Sequence, residues 1–228
     1  MINNSERIAI INQLIEKGVQ IPCPDGVIIE SAVEIGKDTV IMPNTVLLGE
    51  VKIGVDCVIG PNSYIVDSTI GNNTKLNNTQ VYSSIVGSGV TAGPFVHIRP
   101  NCKINDNVHI GNFVEVKNSN VDEGSKLPHL LYVGDSDVGK DVNFGCGCVT
   151  VNYDGRNKSR TTVKDGAFIG CNTNLVAPVT VGENAFTAAG STITEDVPDN
   201  ALALARTRQV VKKDWVTIKK PYKRQHLK

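Results

Sequence analysis

Two stretches of the chain gather side chains suited to proton transfer and anion binding. His129 and Tyr132 stand three residues apart within Ser125-Lys126-Leu127-Pro128-His129-Leu130-Leu131-Tyr132-Val133-Gly134-Asp135. Soon afterwards, Val151 to Thr162 turns at Asp154-Gly155 and carries Arg156, Lys158 and Arg160. An imidazole titrates where a general base is useful, and clustered cations suit an anionic ligand. Alone, the second stretch reads as a solvated hairpin-like excursion; His129 and Tyr132 just before it tilt the reading toward a site. The other histidines offer less. His226 lies near the C-terminal end, and His97 and His109 have no activating neighbour. A zinc site would need His97, His109 and His129 to converge across subunits, or a second Cys/His pair beside Cys146-Gly147-Cys148, so no metal is expected.

What positions these groups is a repeat of six. An aliphatic residue returns at Ile29, Ile35, Ile41, Leu47, Ile53, Ile59 and Ile65. After Ile70 and Leu76 the series resumes at Val86, Ala92, Ile98, Ile104, Ile110 and Val116, and again at Val163, Ile169, Leu175, Val181, Thr187 and Ile193. Gly often follows it (Gly36, Gly54, Gly60), and a small or β-branched residue often stands two before it (Thr39, Thr45, Val51, Cys57, Ser63). Neither a helix nor an ordinary strand has this period. A parallel β-helix does: three hexads close one triangular coil, and residues about 18 apart stack about 4.8 Å apart. The narrow interior favours Ile, Val and Leu, which accounts for an aromatic content of 5%. Gly and Asn suit corners with positive φ. Residues 27–205 are expected to form this domain, with about nine coils and a loop insertion at 151–162. A β-sandwich would not hold a six-residue phase.

Residues 1–26 are expected to hold a short amphipathic helix over 5–17, capped by Ser5, with Ile8, Ile11 and Ile15 on one face and Gly18 ending it. Such a helix covers the open edge of the first coil. Residues 206–228 lose the hexad and carry nine basic residues against one acid, Asp214. The chain of 228 residues balances 23 basic against 23 acidic residues, so the rest of it is acidic. That balance argues against a nucleic-acid binder. No apolar run reaches membrane-spanning length and the first residues lack a basic leader, so a soluble, cytoplasmic protein is expected, with its six scattered cysteines reduced.

The chain resembles the C-terminal acetyltransferase domain of the bifunctional bacterial N-acetylglucosamine-1-phosphate uridylyltransferase/glucosamine-1-phosphate N-acetyltransferase family, within the hexapeptide-repeat acyltransferases. The resemblance runs through Ile98-Arg99-Pro100, Gly111-Asn112-Phe113-Val114-Glu115-Val116-Lys117 and Lys126 to Asp135. It continues through Asn152-Tyr153-Asp154-Gly155 with Lys158, Leu175-Val176-Ala177-Pro178-Val179, Ala188-Ala189-Gly190 and Ala205-Arg206. Nothing in the chain resembles the family's nucleotidyltransferase domain. The resemblance implies an all-β, left-handed parallel β-helix, a homotrimer with sites between subunits, and acetyl transfer from acetyl-CoA to an amino-sugar phosphate, first of all glucosamine 1-phosphate, without uridylyl transfer. Transfer to another amino sugar or a nucleotide sugar, or a non-catalytic scaffold, are the alternatives.

By the same resemblance His129 is the catalytic base, and Arg99 and Lys117 hold the sugar phosphate, with Lys158 as a further contact. Tyr132 and Asn143 meet the sugar. Asn152 and Tyr153 stand near the acetyl-transfer centre, and Cys146, Cys171, Ala189 and Arg206 serve acetyl-CoA. Glu115 reads either as orienting a polar neighbour or as an exposed carboxylate. The family commonly has Ala at the position of Cys146 and Ser at that of Cys171, and Pro128 beside the base is a further departure. The basic tail is expected near the acetyl-CoA phosphates. No membrane or nucleic-acid partner is expected.

Overall fold

The computed structural model describes residues 3–219. Its body is a parallel β-solenoid of short strands stacked coil on coil. One face carries nine strands, from Glu34–Ile35 to Val179–Val181, in unbroken sequence order. The other two faces are fused, because His109–Lys117 and Lys126–Gly134 run round a corner without a break and pair with strands on both sides. These are the coils that carry His129.

The hexad residues fill the interior. Ile29, Ile41, Leu47, Ile59, Ile65, Ile98, Ile104 and Ile110 are fully buried, and only Ile35 of the series is partly exposed. The small residues two positions earlier are buried too, and their hydroxyls join coils where the ladder turns a corner. Thr39 Oγ1 donates to the Gly54 carbonyl at 2.8 Å and accepts from the Cys57 amide at 3.0 Å. A hydroxyl can do both, so no buried backbone group is left unpaired there. The glycine after the aliphatic residue answers to close approach: a Cβ on Gly36 would lie 2.6 Å from the Gly54 backbone.

The N-terminal helix spans Asn4–Glu16. Asn3, not Ser5, caps it. Asn3 Oδ1 accepts the Glu6 amide, and Glu6 accepts the Asn3 amide in return, a reciprocal box that satisfies two helix-end donors. The buried face also differs from the expected one: Ile11 and Leu14 are buried, whereas Ile8 and Ile15 are exposed. A three-residue step to Leu14, followed by Val19, brings the helix end onto the coil base more directly than Ile15 does. Arg7 fixes the docking angle by donating to the Pro24 and Val27 carbonyls. At the other end the last strand is Leu202–Ala203, and residues 206–219 are exposed, with a short helix at Trp215–Lys219. The remainder of the basic tail, residues 220–228, lies outside the described residues. Among the described residues no helix is long and apolar enough to cross a membrane.

Candidate active site

His129 stands just before a left-handed corner at Leu130, whose φ is 49°. It pairs in register with Asn112 on the coil below, and its Nδ1 lies 2.9 Å from Asn112 Oδ1. With the amide oxygen facing the ring, Nδ1 carries the proton and Nε2 keeps its lone pair, the tautomer a general base requires. The ring is exposed. Gly111 lets the Pro128 backbone come close on the next coil; a Cβ there would meet the Pro128 carbonyl oxygen at 1.8 Å.

Four of the expected positions stack with His129 along one edge. Gly147 N donates to the His129 carbonyl, and Asn172 N to that of Cys146. Gly190 N in turn donates to the Cys171 carbonyl. With the pairings Lys126↔Asn143, Phe144↔Ile169 and Ile169↔Thr187, these bonds put Cys146, Cys171 and Ala189 one above another over His129. Arg206 ends the edge, its Cδ 3.8 Å from where a Cβ on Gly190 would lie. At about 4.8 Å per coil the edge climbs roughly 19 Å from His129 to the level of Arg206.

The cations gather at the next corner of the same coils. Arg99, Lys117 and Lys158, with Pro100, Asn101, Asn118 and Asp135, line a groove of about 350 Å³. Arg99 Nη1 lies 2.8 Å from Glu115 Oε1, so Glu115 orients a cation rather than standing free. Lys117 Nζ lies 3.3 Å from Asp135 Oδ2. Tyr132 occupies the face between the two corners, in register with Glu115. Asn143 sits elsewhere, on the face before the His129 corner, in register with Lys126 and Phe168. A larger cavity, about 550 Å³, opens among Lys103, Asp122, Asp137 and Lys164 and holds none of the expected site residues.

The insertion is a hairpin. Tyr153 bridges to Lys158, and Asp154 accepts the Asn157 and Arg156 amides, which hold its carboxyl below the usual range. Tyr153 is exposed and its hydroxyl donates to the Gly155 carbonyl. Asn152 is buried; its amide donates to Asp135 and, at 3.4 Å, to the Tyr132 hydroxyl. Arg160 clamps the returning strand with a two-pronged pair to Asp137, at 2.8 and 2.7 Å, and donates to the Asn118 and Ser136 carbonyls.

Sequence reasoning gave no role to Asp135, Asn118 and Asn112, and took Arg160 only as one of the clustered cations rather than as a clamp. Asp135 is the hub: it accepts from Lys117, Asn118 and Asn152. Burial works to raise its carboxyl, but those three donors outweigh it and hold the group below the usual range. Asn112 and Asp135 both lay within motifs already in view; what the sequence did not show was which coil-to-coil neighbours they meet.

The Bacterial transferase hexapeptide (six repeats) model matches residues 32–67, 83–118 and 160–195. The chain is 56% identical over 199 residues to the bifunctional protein GlmU of Geobacillus sp. (strain WCH70), which covers 87% of this chain and 43% of the relative. It is 57% identical over 218 residues to GlmU of Caldanaerobacter subterraneus subsp. tengcongensis, covering 94% of this chain and 48% of the relative. The chain thus spans about half the length of these relatives. Among solved structures, a Francisella novicida UDP-N-acetylglucosamine acyltransferase aligns over 82% of this chain and 67% of its own at 18% identity, with a TM-score of 0.43, too slight a likeness to bear on function. The hexads, the motifs and these relatives agree: the chain belongs to the hexapeptide-repeat transferases and corresponds to the C-terminal part of the GlmU proteins.

Proposed function

We propose that the protein is an acetyl-CoA-dependent N-acetyltransferase acting on an amino-sugar phosphate, with glucosamine 1-phosphate as the first candidate. The observation that carries this reading is the pairing of one base with two differently built corners on the same coils. Above His129 runs an edge of small residues, Cys146, Cys171 and Ala189, ending at Arg206. Across the face from it lies the groove of Arg99, Lys117 and Lys158. Small side chains let an extended thioester arm lie close to the coils, and Arg206 offers a cation to its phosphates. The triple-cation groove suits a sugar phosphate, whose charge neutral sugars lack.

His129 Nε2 would take a proton from the sugar ammonium, since only the free amine has a lone pair for the thioester carbonyl carbon. That proton passes to the departing thiolate, and the nitrogen sheds a second proton to solvent as the amide forms, so one proton is released per turnover. Tyr132 and Asn152, the latter donating to both Tyr132 and Asp135, stand between base and cations and fit the sugar. Asn143 faces away from that groove, so its part in sugar binding fits a site completed by a second copy of the chain. A homotrimer fits that need. It also fits the exposed apolar corner residues Phe95, Phe113 and Leu130.

Thiol release from acetyl-CoA, measured with a panel of amino-sugar phosphates, tests the reading. Release with glucosamine 1-phosphate that falls by roughly a hundredfold or more in His129→Ala is expected. No release with any member of the panel would end it.

A further inference from the structure

The two departures along the edge above His129 are both cysteines, and they are neighbours. Phe144 pairs with Ile169, Gly145 N donates to the Ile169 carbonyl at 2.6 Å, and Asn172 N donates to the Cys146 carbonyl at 2.8 Å. These bonds bracket Cys146 and Cys171 in register on successive coils. Adjacent parallel strands lie about 4.8 Å apart, inside the roughly 4.4–6.8 Å between Cα atoms that a disulfide spans. The Cys171 sulfur leans back over the coil below: a Cβ on Gly145 would stand 2.9 Å from it. Both cysteines are free and reachable from solvent, Cys171 the more so. Cys148, by contrast, is buried, donates to the Gly170 carbonyl at 3.0 Å, and has its thiol pushed up to about 11 by that burial. Cys57 and Cys102 are buried in the solenoid.

We propose that Cys146 and Cys171 form a reversible disulfide, making the edge that the proposed function assigns to acetyl-CoA a redox-sensitive modification site. The oxidant is a low-molecular-weight disulfide such as oxidised glutathione. The exposed Cys171 loses its proton, and its thiolate attacks one sulfur of that disulfide, forming a mixed disulfide and expelling one glutathione thiolate. The Cys146 thiolate then attacks Cys171 Sγ, forming the protein S–S bond and expelling the second glutathione. The two protons lost by the cysteines end on the two glutathione thiols, and the two electrons reduce the oxidant. Cross-strand neighbours point their Cβ atoms alike, so the bond closes only with some distortion. Strained and exposed disulfides are the readily reduced ones. The bridge also occupies the small-residue surface along which the acetyl-CoA arm would lie.

The full chain should be incubated with oxidised glutathione, then examined without reductant by intact mass and by peptide mapping. The expected result is a loss of two hydrogens, a peptide pair joined through Cys146 and Cys171, and return to the starting mass with dithiothreitol. Cys171→Ser should show no such loss, and Cys23→Ser should still show it. Lasting glutathione addition at Cys171 without the two-hydrogen loss, or linkage through Cys148 or between chains, would overturn the proposal. Acetyl-CoA affinity of the oxidised protein is expected to fall roughly tenfold, the equivalent of about 1.4 kcal/mol. This last readout rests on the proposed function. A bridge that forms while no amino-sugar phosphate is ever acetylated would sink that function and leave the disulfide standing.

Discussion

Lys117 reaches across one coil to Asp135, its ammonium 3.3 Å from a carboxylate whose side chain is only 6% exposed. Asn118 and Asn152 donate to the same carboxylate, so one buried charge ties a cation of the proposed phosphate groove to the root of the inserted hairpin. Asp135→Asn keeps the shape but removes the charge, leaving three donors with a poorer acceptor. The expected cost is about 2–4 kcal/mol of stability, seen as a lower urea midpoint. KM for the sugar phosphate should rise more than kcat falls, since Lys117 loses its position and His129 does not. A stability loss with KM unchanged would confine Asp135 to a structural part.

Asn112 sets the tautomer of His129 through its amide oxygen, 2.9 Å from Nδ1. Replacing it with aspartate puts a negative charge at that distance and favours the imidazolium. In Asn112→Asp the acidic limb of the kcat/KM profile should move to higher pH. His129→Ala should lower kcat by roughly 10²–10⁴. An unmoved limb in Asn112→Asp would show that a different group limits the rate on the acid side.

Asp135 and Asp137 are both held below the ordinary carboxylate range, Asp137 by its pair with Arg160 and Asp135 by its three donors against the effect of burial. A carboxyl whose folded pKa lies below its unfolded one adds stability that is complete above the unfolded value of about 3.9 and is lost as pH falls through the folded value. Below about pH 4 the unfolded chain binds more protons, so stability should decline with acid there. Denaturant midpoints measured from about pH 6 down to about pH 3 should show that decline, and Asp137→Asn should flatten it. Equal slopes for both proteins would mean that the Arg160 pair is not coupled to folding.

The hexad made the solenoid legible because a large aliphatic residue buried once in every six is the mark of a parallel β-helix. Ile41, Leu47, Ile59 and Ile65 could be placed in the core by counting alone. The same counting stacks Cys146 and Cys171 only if the insertion is subtracted correctly, because the coil from Asn143 to Phe168 is 25 residues long rather than 18. The Asp135 hub was harder to see: its partners lie 17 or 18 residues away on strands whose offsets vary, and no motif marks a carboxylate as buried. The helix cap misled for a local reason, since Asn3 and Ser5 are both good caps and only the Glu6 reciprocal bond decides between them.

Arg99 and Lys117 differ in how firmly they are held. Arg99 meets Glu115 at a half-exposed site, whereas Lys117 is largely buried against Asp135. Arg99 is therefore freer to turn to an incoming phosphate with its planar fork. Arg99→Ala should raise KM for glucosamine 1-phosphate roughly tenfold to a hundredfold while kcat changes little, the pattern of a contact shared by ground state and transition state. Its preference for glucosamine 1-phosphate over unphosphorylated glucosamine should shrink by the same factor. A preference that survives would move phosphate recognition to Lys117 and Lys158.

Phe95, Phe113 and Leu130 occupy one corner on three successive coils, all with left-handed backbones at φ 61°, 58° and 49°. Bulky residues lose roughly 1–2 kcal/mol each in that conformation, and on the two coils below the same corner is made by Asn78 and Asn62, which tolerate it better. All three apolar side chains are more than half exposed, and the stacked Phe95 and Phe113 rings, 5.2 Å apart and within 5° of parallel, recover only part of the cost. A single chain would gain from asparagine here; an assembly that buries this corner would lose. Phe113→Asn should therefore leave the isolated chain as stable as before, or stabler by up to about 1 kcal/mol. In sedimentation it should be smaller than the parent chain at protein concentrations where the parent forms the proposed trimer. If it sediments as the parent does at every concentration, the corner has no part in assembly.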